Sequence, residues 1–146
     1  MMTAKKSVNV NKKIVSYVLD TSAILSYFLR DTDSEKVVNL LNKSMNNEVK
    51  IFIPFPVIME LYYIVFRISG RNAAEERFAA LKMLPVVIDL EISEQYLLIA
   101  GSLKAEYPIS FADSLIAAYA KKQNAILIHK DPEYLSLNKE IVQQKL

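Results

Sequence analysis

A chain of 146 residues is long enough for one substantial hydrophobic core, so a single domain is expected. Its apolar share of 52% never gathers into the roughly eighteen uninterrupted apolar residues of a membrane helix, and the lack of cysteine excludes a disulfide framework and a thiolate nucleophile. The net charge of +2 is too mild to mark a dedicated nucleic-acid binder, and one histidine, His129, leaves no ordinary zinc site.

Residues 1–13, MMTAKKSVNVNKK, carry lysines but no apolar signal-peptide centre, and read as a loose basic leader to a domain over 14–146. Nothing in that leader directs export, so the cytoplasm is the expected compartment. Short branched-aliphatic runs then alternate with longer helical ones, the pattern of an α/β fold in which helices cover a parallel sheet. The first strand spans Ile14–Leu19, followed by a short helix over Ser22–Leu29 and a second beginning at Thr32. Thr32 with Glu35 three residues on has the form of a capping box. Val49–Ile53 is the next strand, and Pro54 and Pro56 end it and start a helix to about Ser69. A third helical pattern covers Ala73–Met83, and Pro85 separates it from a short strand over Val86–Ile88. Ser93 caps a helix to about Glu106, and Ser110 caps another ending near Gln123, where Asn124 occupies the usual left-handed position. Ala125–Ile128 is the fourth strand, and Ile141 and Val142 mark a weak fifth.

Four carboxylates stand out. In YVLDTSAIL an apolar strand stops on Asp20, which either caps the following helix or ligates a metal at the carboxyl end of the strand. Glu60 lines up with Val57, Leu61 and Ile64 on a stripe that should face the core, where a lone carboxylate costs several kcal/mol unless it is paired. The helix is apolar nearly all round, so a surface position for Glu60 stays open. Asp113 lies in the first turn of its helix, where Ser110 and the helix dipole offer a capping explanation. Asp131, after the fourth strand in ILIHKDPEY, either caps a turn whose first residue is Pro132 or joins a site.

Separate caps leave one coincidence unexplained. Asp20 and Asp131 both leave carboxyl ends of strands, and Asp113 opens the helix that feeds the second of them. If they converge, their repulsion is of order 4 kcal/mol per pair at about 4 Å and an effective dielectric near 20, which demands a cation. Hard oxygen donors select magnesium or manganese, and that combination suits hydrolysis of a phosphodiester.

VLDTSAIL around Asp20, IPFPVIMELYYI around Glu60, ISFADSLIAAYA around Asp113 and ILIHKDPEY around Asp131 together resemble the PIN domain family, and within it the VapC-type ribonuclease toxins. The resemblance runs from about Tyr17 to Leu137 and implies a three-layer α/β/α sandwich with a central parallel sheet of four to five strands. It also implies a Mg2+- or Mn2+-dependent endoribonuclease that acts on RNA, forms a homodimer and is restrained by a cognate antitoxin. By that match Asp20, Glu60 and Asp113 are the principal acids and Asp131 the fourth, all catalytic and metal-binding, with Ser22 at the small polar position after the first. His129 stands where the family has threonine or serine, and Tyr134 where it has phenylalanine. His129 either touches the scissile phosphate and its water or simply packs.

Lys121, Lys122, Lys130 and Arg30, with Arg67 and Arg71, could ring an acidic pocket with phosphate-binding charge or be plain solvated surface. Tyr62, Tyr63 and Tyr96 read as core or dimer contacts, and the interface is favoured because a helix apolar on most of its circumference has a second face to bury. Only Gly70 and Gly101 are glycines, so no phosphate-binding loop is present, and no glycines frame a nucleophilic serine. A receiver-type domain would want an aspartate ending the Val49–Ile53 strand, and none is there. The remaining rival is a PIN-like scaffold that holds RNA or protein without cutting.

Overall fold

The computed structural model describes residues 13–146, so the leader expected over 1–13 lies, except for Lys13, outside the described residues. Five parallel strands, β1 (Val15–Leu19), β2 (Val49–Pro54), β3 (Val87–Asp89), β4 (Ile126–His129) and β5 (Gln143–Lys145), form one sheet in the order β3-β2-β1-β4-β5. Six helices connect and cover it: α1 (Thr21–Leu29), α2 (Ser34–Met45), α3 (Phe55–Ser69), α4 (Arg71–Lys82), α5 (Glu94–Glu106) and α6 (Phe111–Gln123). A 3-10 turn, Pro132–Leu137, stands between β4 and β5. The architecture is the α/β/α sandwich expected from the sequence, with five strands.

The inner strands β2, β1 and β4 are mostly apolar because both faces of a parallel sheet are covered there, whereas the edge strand β5 is polar. Val18, Leu19, Ile51, Ile53, Leu127 and Ile128 are all buried. On the helical side, α6 is buried at every residue from Asp113 to Ala120, since it packs against α5, α3, β1 and β4 together. Its small residues, Ala117, Ala118 and Ala120, let those neighbours approach. The chain runs from β1 outward to β3 and then returns to the other side of β1 as β4. That reversal makes the carboxyl ends of β1 and β4 a topological switch point, where open α/β sheets form their ligand crevice.

The caps at Ser93, Ser110 and Asn124 form as the sequence predicts: Ser93 accepts from the Tyr96 N–H, Ser110 from the Asp113 N–H, and Asn124 is left-handed at φ 51°. The Thr32–Glu35 capping box does not form. Asp31 closes this turn instead, its side chain accepting from the Asp33 N–H at 2.9 Å and its carbonyl from the Ser34 N–H, so α2 starts at Ser34. Asp31 prevails because Ser26 and Lys130 already hold its carboxylate. The fifth strand forms two residues later than Ile141–Val142, because Ile141 turns into the core at the end of the 3-10 turn and pairing with β4 begins at Gln143. Tyr96 is core, 1% exposed with its hydroxyl on the Leu115 carbonyl, which corrects its reading as a dimer contact. Gly70 joins α3 to α4 at φ 90°, a left-handed corner that a residue with a side chain adopts only under strain.

Candidate active site

Asp20 immediately follows β1 and is the N-cap of α1, 4% exposed. Its Oδ1 accepts from the Ala23 N–H at 3.0 Å and from the Ser22 hydroxyl at 2.6 Å. The same Ser22 hydroxyl oxygen accepts from the Lys130 N–H at 2.9 Å, which ties the start of α1 to the residue before Asp131. The two strand ends are therefore clamped side by side, as the parallel pairing of Leu19 with Ile128 requires. Asp20 thus caps its helix on one oxygen, and capping does not exhaust it.

Glu60, half-buried on α3, accepts from the Thr21 hydroxyl at 2.7 Å on Oε1. Asp113, in the first turn of α6, accepts from the Tyr134 hydroxyl at 2.9 Å on Oδ1. Asp131 caps the 3-10 turn by accepting from the Glu133 N–H at 2.9 Å, again on Oδ1. The pattern repeats four times. Among the described residues, each acid has one oxygen tethered by protein donors, while Oδ2 of Asp20, Asp113 and Asp131 and Oε2 of Glu60 have none. Among the described residues, His129 Nδ1 is the one fully buried side-chain polar atom without a partner.

The electrostatics follow from this placement. Burial pushes the Asp20 carboxyl up from 3.8 to about 6, offset by its two donors and reinforced by the negative charges of Asp131 and Glu60. Burial likewise lifts Asp113 to about 7; the Tyr134 hydroxyl works against this, and the carboxylates of Glu133 and Asp131 add to it. Tyr134, fully buried, is held far above its ordinary value by burial first and then by the negative charges of Asp20, Asp113 and Glu60, of which Asp113 accepts its hydrogen bond. Asp131 thus acts on both Asp20 and Asp113, Glu60 on the first and Glu133 on the second.

Glu133 joins the pocket and was not singled out from the sequence. One carboxylate oxygen from each of Asp113, Asp131 and Glu133 lies within 4.8 Å of the others, and among the described residues this cluster does not take in Asp20 or Glu60. Its signal was weak, because in HKDPEY it reads as the second residue of a proline-started turn; only the path of that turn brings it back to Asp113. Thr21 was also missed, being an ordinary first-turn residue until α3 brings Glu60 against it.

The basic candidates lie in different places. Lys130 sits beside the pocket, its Nζ held by Asp31 at 3.0 Å and Asp33 at 3.1 Å. Arg30 is exposed at the left-handed end of α1, away from Asp20. Lys121 and Lys122 end α6, about 12 Å along the helix from Asp113, and bond to Glu140 and Ser93. Arg67 and Arg71 stack on Tyr63 and Phe66. His129 is fully buried, and burial lowers the pKa of its ring, which packs 4.7 Å from that of Tyr134.

A profile of the family described as PIN domain matches residues 17–140, which includes all the acids named above. Among solved structures, the chain is similar to VapBC2 from Rickettsia felis bound to a promoter DNA fragment, at TM-score 0.71 and 21% identity, over 90% of this chain and 98% of that one. It is similar to VapBC-1 from nontypeable Haemophilus influenzae at TM-score 0.66 and 21% identity, with the same coverage. It is also similar to VapC20 of Mycobacterium tuberculosis, described as a sarcin-ricin loop cleaving toxin, at TM-score 0.60 and 15% identity over 76% of this chain and 86% of that one. Comparison with curated proteins finds no match.

Proposed function

The chain belongs to the PIN domain family, and from that premise we propose that it is a metal-dependent endoribonuclease hydrolysing RNA phosphodiester bonds, the toxin of a toxin–antitoxin pair. The observation that carries this reading is that Asp20, Glu60, Asp113 and Asp131 each have one oxygen tied to the protein, while Asp113 and Asp131 come within reach of one ion together with Glu133. Burial, with the charge of neighbouring carboxylates added, raises Asp20 to about 6 and Asp113 to about 7, a cost that capping alone does not explain.

The donor set fits magnesium or manganese. It consists of hard carboxylate oxygens, and the buried pair would be relieved of its unfavourable charge by a divalent ion. Asp20, Glu60, Asp113 and Asp131 would hold it, with Glu133 beside the last two. When bound, such an ion neutralises charge on a scissile phosphate and makes water a better nucleophile near neutral pH. The protein's own part is orientation. Ser22 and the Ala23 N–H fix the Asp20 carboxylate, Thr21 fixes Glu60, and Tyr134 fixes Asp113, so each of these carboxylates is held in one orientation by the protein itself. Above pH 7 Asp20 and Asp113 are charged and repel an unaccompanied phosphate, so the site would accept an anionic substrate only together with a cation.

RNA as the substrate is supported by the family match and by the description of VapC20 as a loop-cleaving toxin. A cognate antitoxin is supported by the similarity to two VapBC pairs. Self-association has its support in α3 and the loop after β3, where Met59 is 70% exposed and Leu90 64%, beside Phe55, Ile58, Tyr62, Tyr63 and Phe78. Among the described residues no helix is long and apolar enough to cross a membrane, and the cytoplasm is the proposed compartment.

The test is cleavage of a structured RNA pool with Mn2+, with chelator, and with the Asp20→Asn and Asp113→Asn variants. Cleavage should need Mn2+ and both aspartates. Cleavage that persists in chelator, or in both variants, overturns the mechanism; Mn2+ binding with no cleavage of any RNA favours a scaffold.

A further inference from the structure

The tether on Asp113 differs from the others in what stands behind it. Tyr134 is fully buried, and its hydroxyl has the Asp113 carboxylate as its partner at 2.9 Å. A phenyl ring would fill the same space, so the hydroxyl is not needed for packing. The residue is in turn held from the edge of the sheet: Gln143 on β5 donates its amide to the Tyr134 carbonyl at 2.6 Å and to Asn138 Oδ1 at 2.8 Å. With its amide nitrogen directed at those acceptors, the Gln143 oxygen faces His129 and takes the Nε2 hydrogen at 2.7 Å. His129, so fixed, lies against the Tyr134 ring. The backbone and the ring of Tyr134 are both located by one residue of a three-residue strand whose side chain never reaches the acids.

We propose that Tyr134 is a positioning residue for Asp113 and that Gln143 acts through it: the hydroxyl occupies Oδ1 and thereby turns Oδ2 toward the cation position. This rests on the nuclease reading above and assigns the buried His129 a place in the same chain of contacts, as packing for the phenol. The general reason is that an outer hydrogen bond to a ligating carboxylate removes its freedom to rotate, so less order has to be imposed when the ion arrives; loss of such a partner weakens metal affinity by about 10- to 100-fold.

The experiment titrates metal-free protein with Mn2+ alone, followed by calorimetry or by the electron paramagnetic resonance of free Mn2+, for wild type, Tyr134→Phe, Gln143→Met and the double variant. Thermal melts in chelator accompany each titration. Tyr134→Phe should raise the Mn2+ Kd by about tenfold or more while its melting midpoint in chelator stays close to that of wild type. Gln143→Met should raise the Kd in the wild-type background and change it less than about twofold in the Tyr134→Phe background, because its effect passes through the hydroxyl. RNA cleavage by Tyr134→Phe should recover at saturating Mn2+. A Kd for Tyr134→Phe within twofold of wild type overturns the proposal, as does a Gln143→Met effect of equal size in both backgrounds. Should Gln143→Met not fold, Tyr134→Phe decides alone. A wild type that binds Mn2+ and cuts RNA alongside an unaffected Tyr134→Phe removes this inference only; a wild type that neither binds nor cuts removes the nuclease reading and this inference with it.

Discussion

Asp20→Asn replaces a buried carboxylate by an amide of the same shape, and the structure says it should stabilise the metal-free protein. The Asn oxygen can still accept from the Ala23 N–H and the Ser22 hydroxyl, so the cap of α1 survives. What disappears is the charge. The folded-state pKa of Asp20 is raised from 3.8 to about 6, so the folded protein binds this proton more tightly than the unfolded chain does. The resulting cost is fully present above about pH 6 and is lost as the pH falls toward 3.8. The difference of about 2.2 units, at 1.36 kcal/mol each, comes to about 3 kcal/mol, from which the lost interaction with the helix dipole subtracts about 0.5 kcal/mol. At about 2–4 °C per kcal/mol for a chain of this size, the melting midpoint in chelator at pH 7.5 should rise by roughly 5–10 °C. Melts of both proteins across pH 4–8 measure it, and the gap should close toward pH 4. Added Mn2+ should reverse the order, since only wild type binds it well. A variant less stable than wild type in chelator at pH 7.5, or a gain that does not shrink on acidification, refutes the argument that charge at this site opposes folding.

Mn2+ affinity of the wild type should fall as the pH drops through about 7, by up to about tenfold per unit for each proton displaced, because Asp113 and then Asp20 take up protons; titrations at pH 6, 7 and 8 check this. Thr21→Val removes the donor to Glu60 and should cut RNA cleavage about tenfold at subsaturating Mn2+, with recovery at high Mn2+. Asn124→Val puts a branched side chain at φ 51° and should cost about 1–2 kcal/mol in urea melts while leaving RNA cleavage per folded molecule unchanged, since Asn124 closes the end of α6 remote from Asp113.

Local chemistry was readable wherever the interaction that decides it is local. The N–H groups met by Ser93 and Ser110 lie three residues away, and the left-handed turn at Asn124 needs only its own backbone, so no distant group competes. Asp131 before Pro132 was readable as a turn cap for the same reason. The Thr32–Glu35 pattern failed where a distant group intervened, Lys130 arriving from the far side of β4 to hold Asp31 and Asp33. Between core and dimer contact, the two readings open for Tyr96, the sequence could not choose, because its hydroxyl partner, the Leu115 carbonyl, lies on another helix.

The one-dimensional pattern determined that the chain makes a parallel sheet under helices, and that its acids leave strands or open helices. Those features depend on periodicity and on caps reaching a few residues. Only the tertiary structure decided which oxygen of each acid is free, that Glu133 comes back toward Asp113, and that Gln143 at the sheet edge holds Tyr134 beneath the pocket. These contacts join separate elements, α6 with the 3-10 turn and that turn with β5, and the return of the chain from β3 to the other side of β1 adds the longest of them, Ser22 against Lys130 about a hundred positions away.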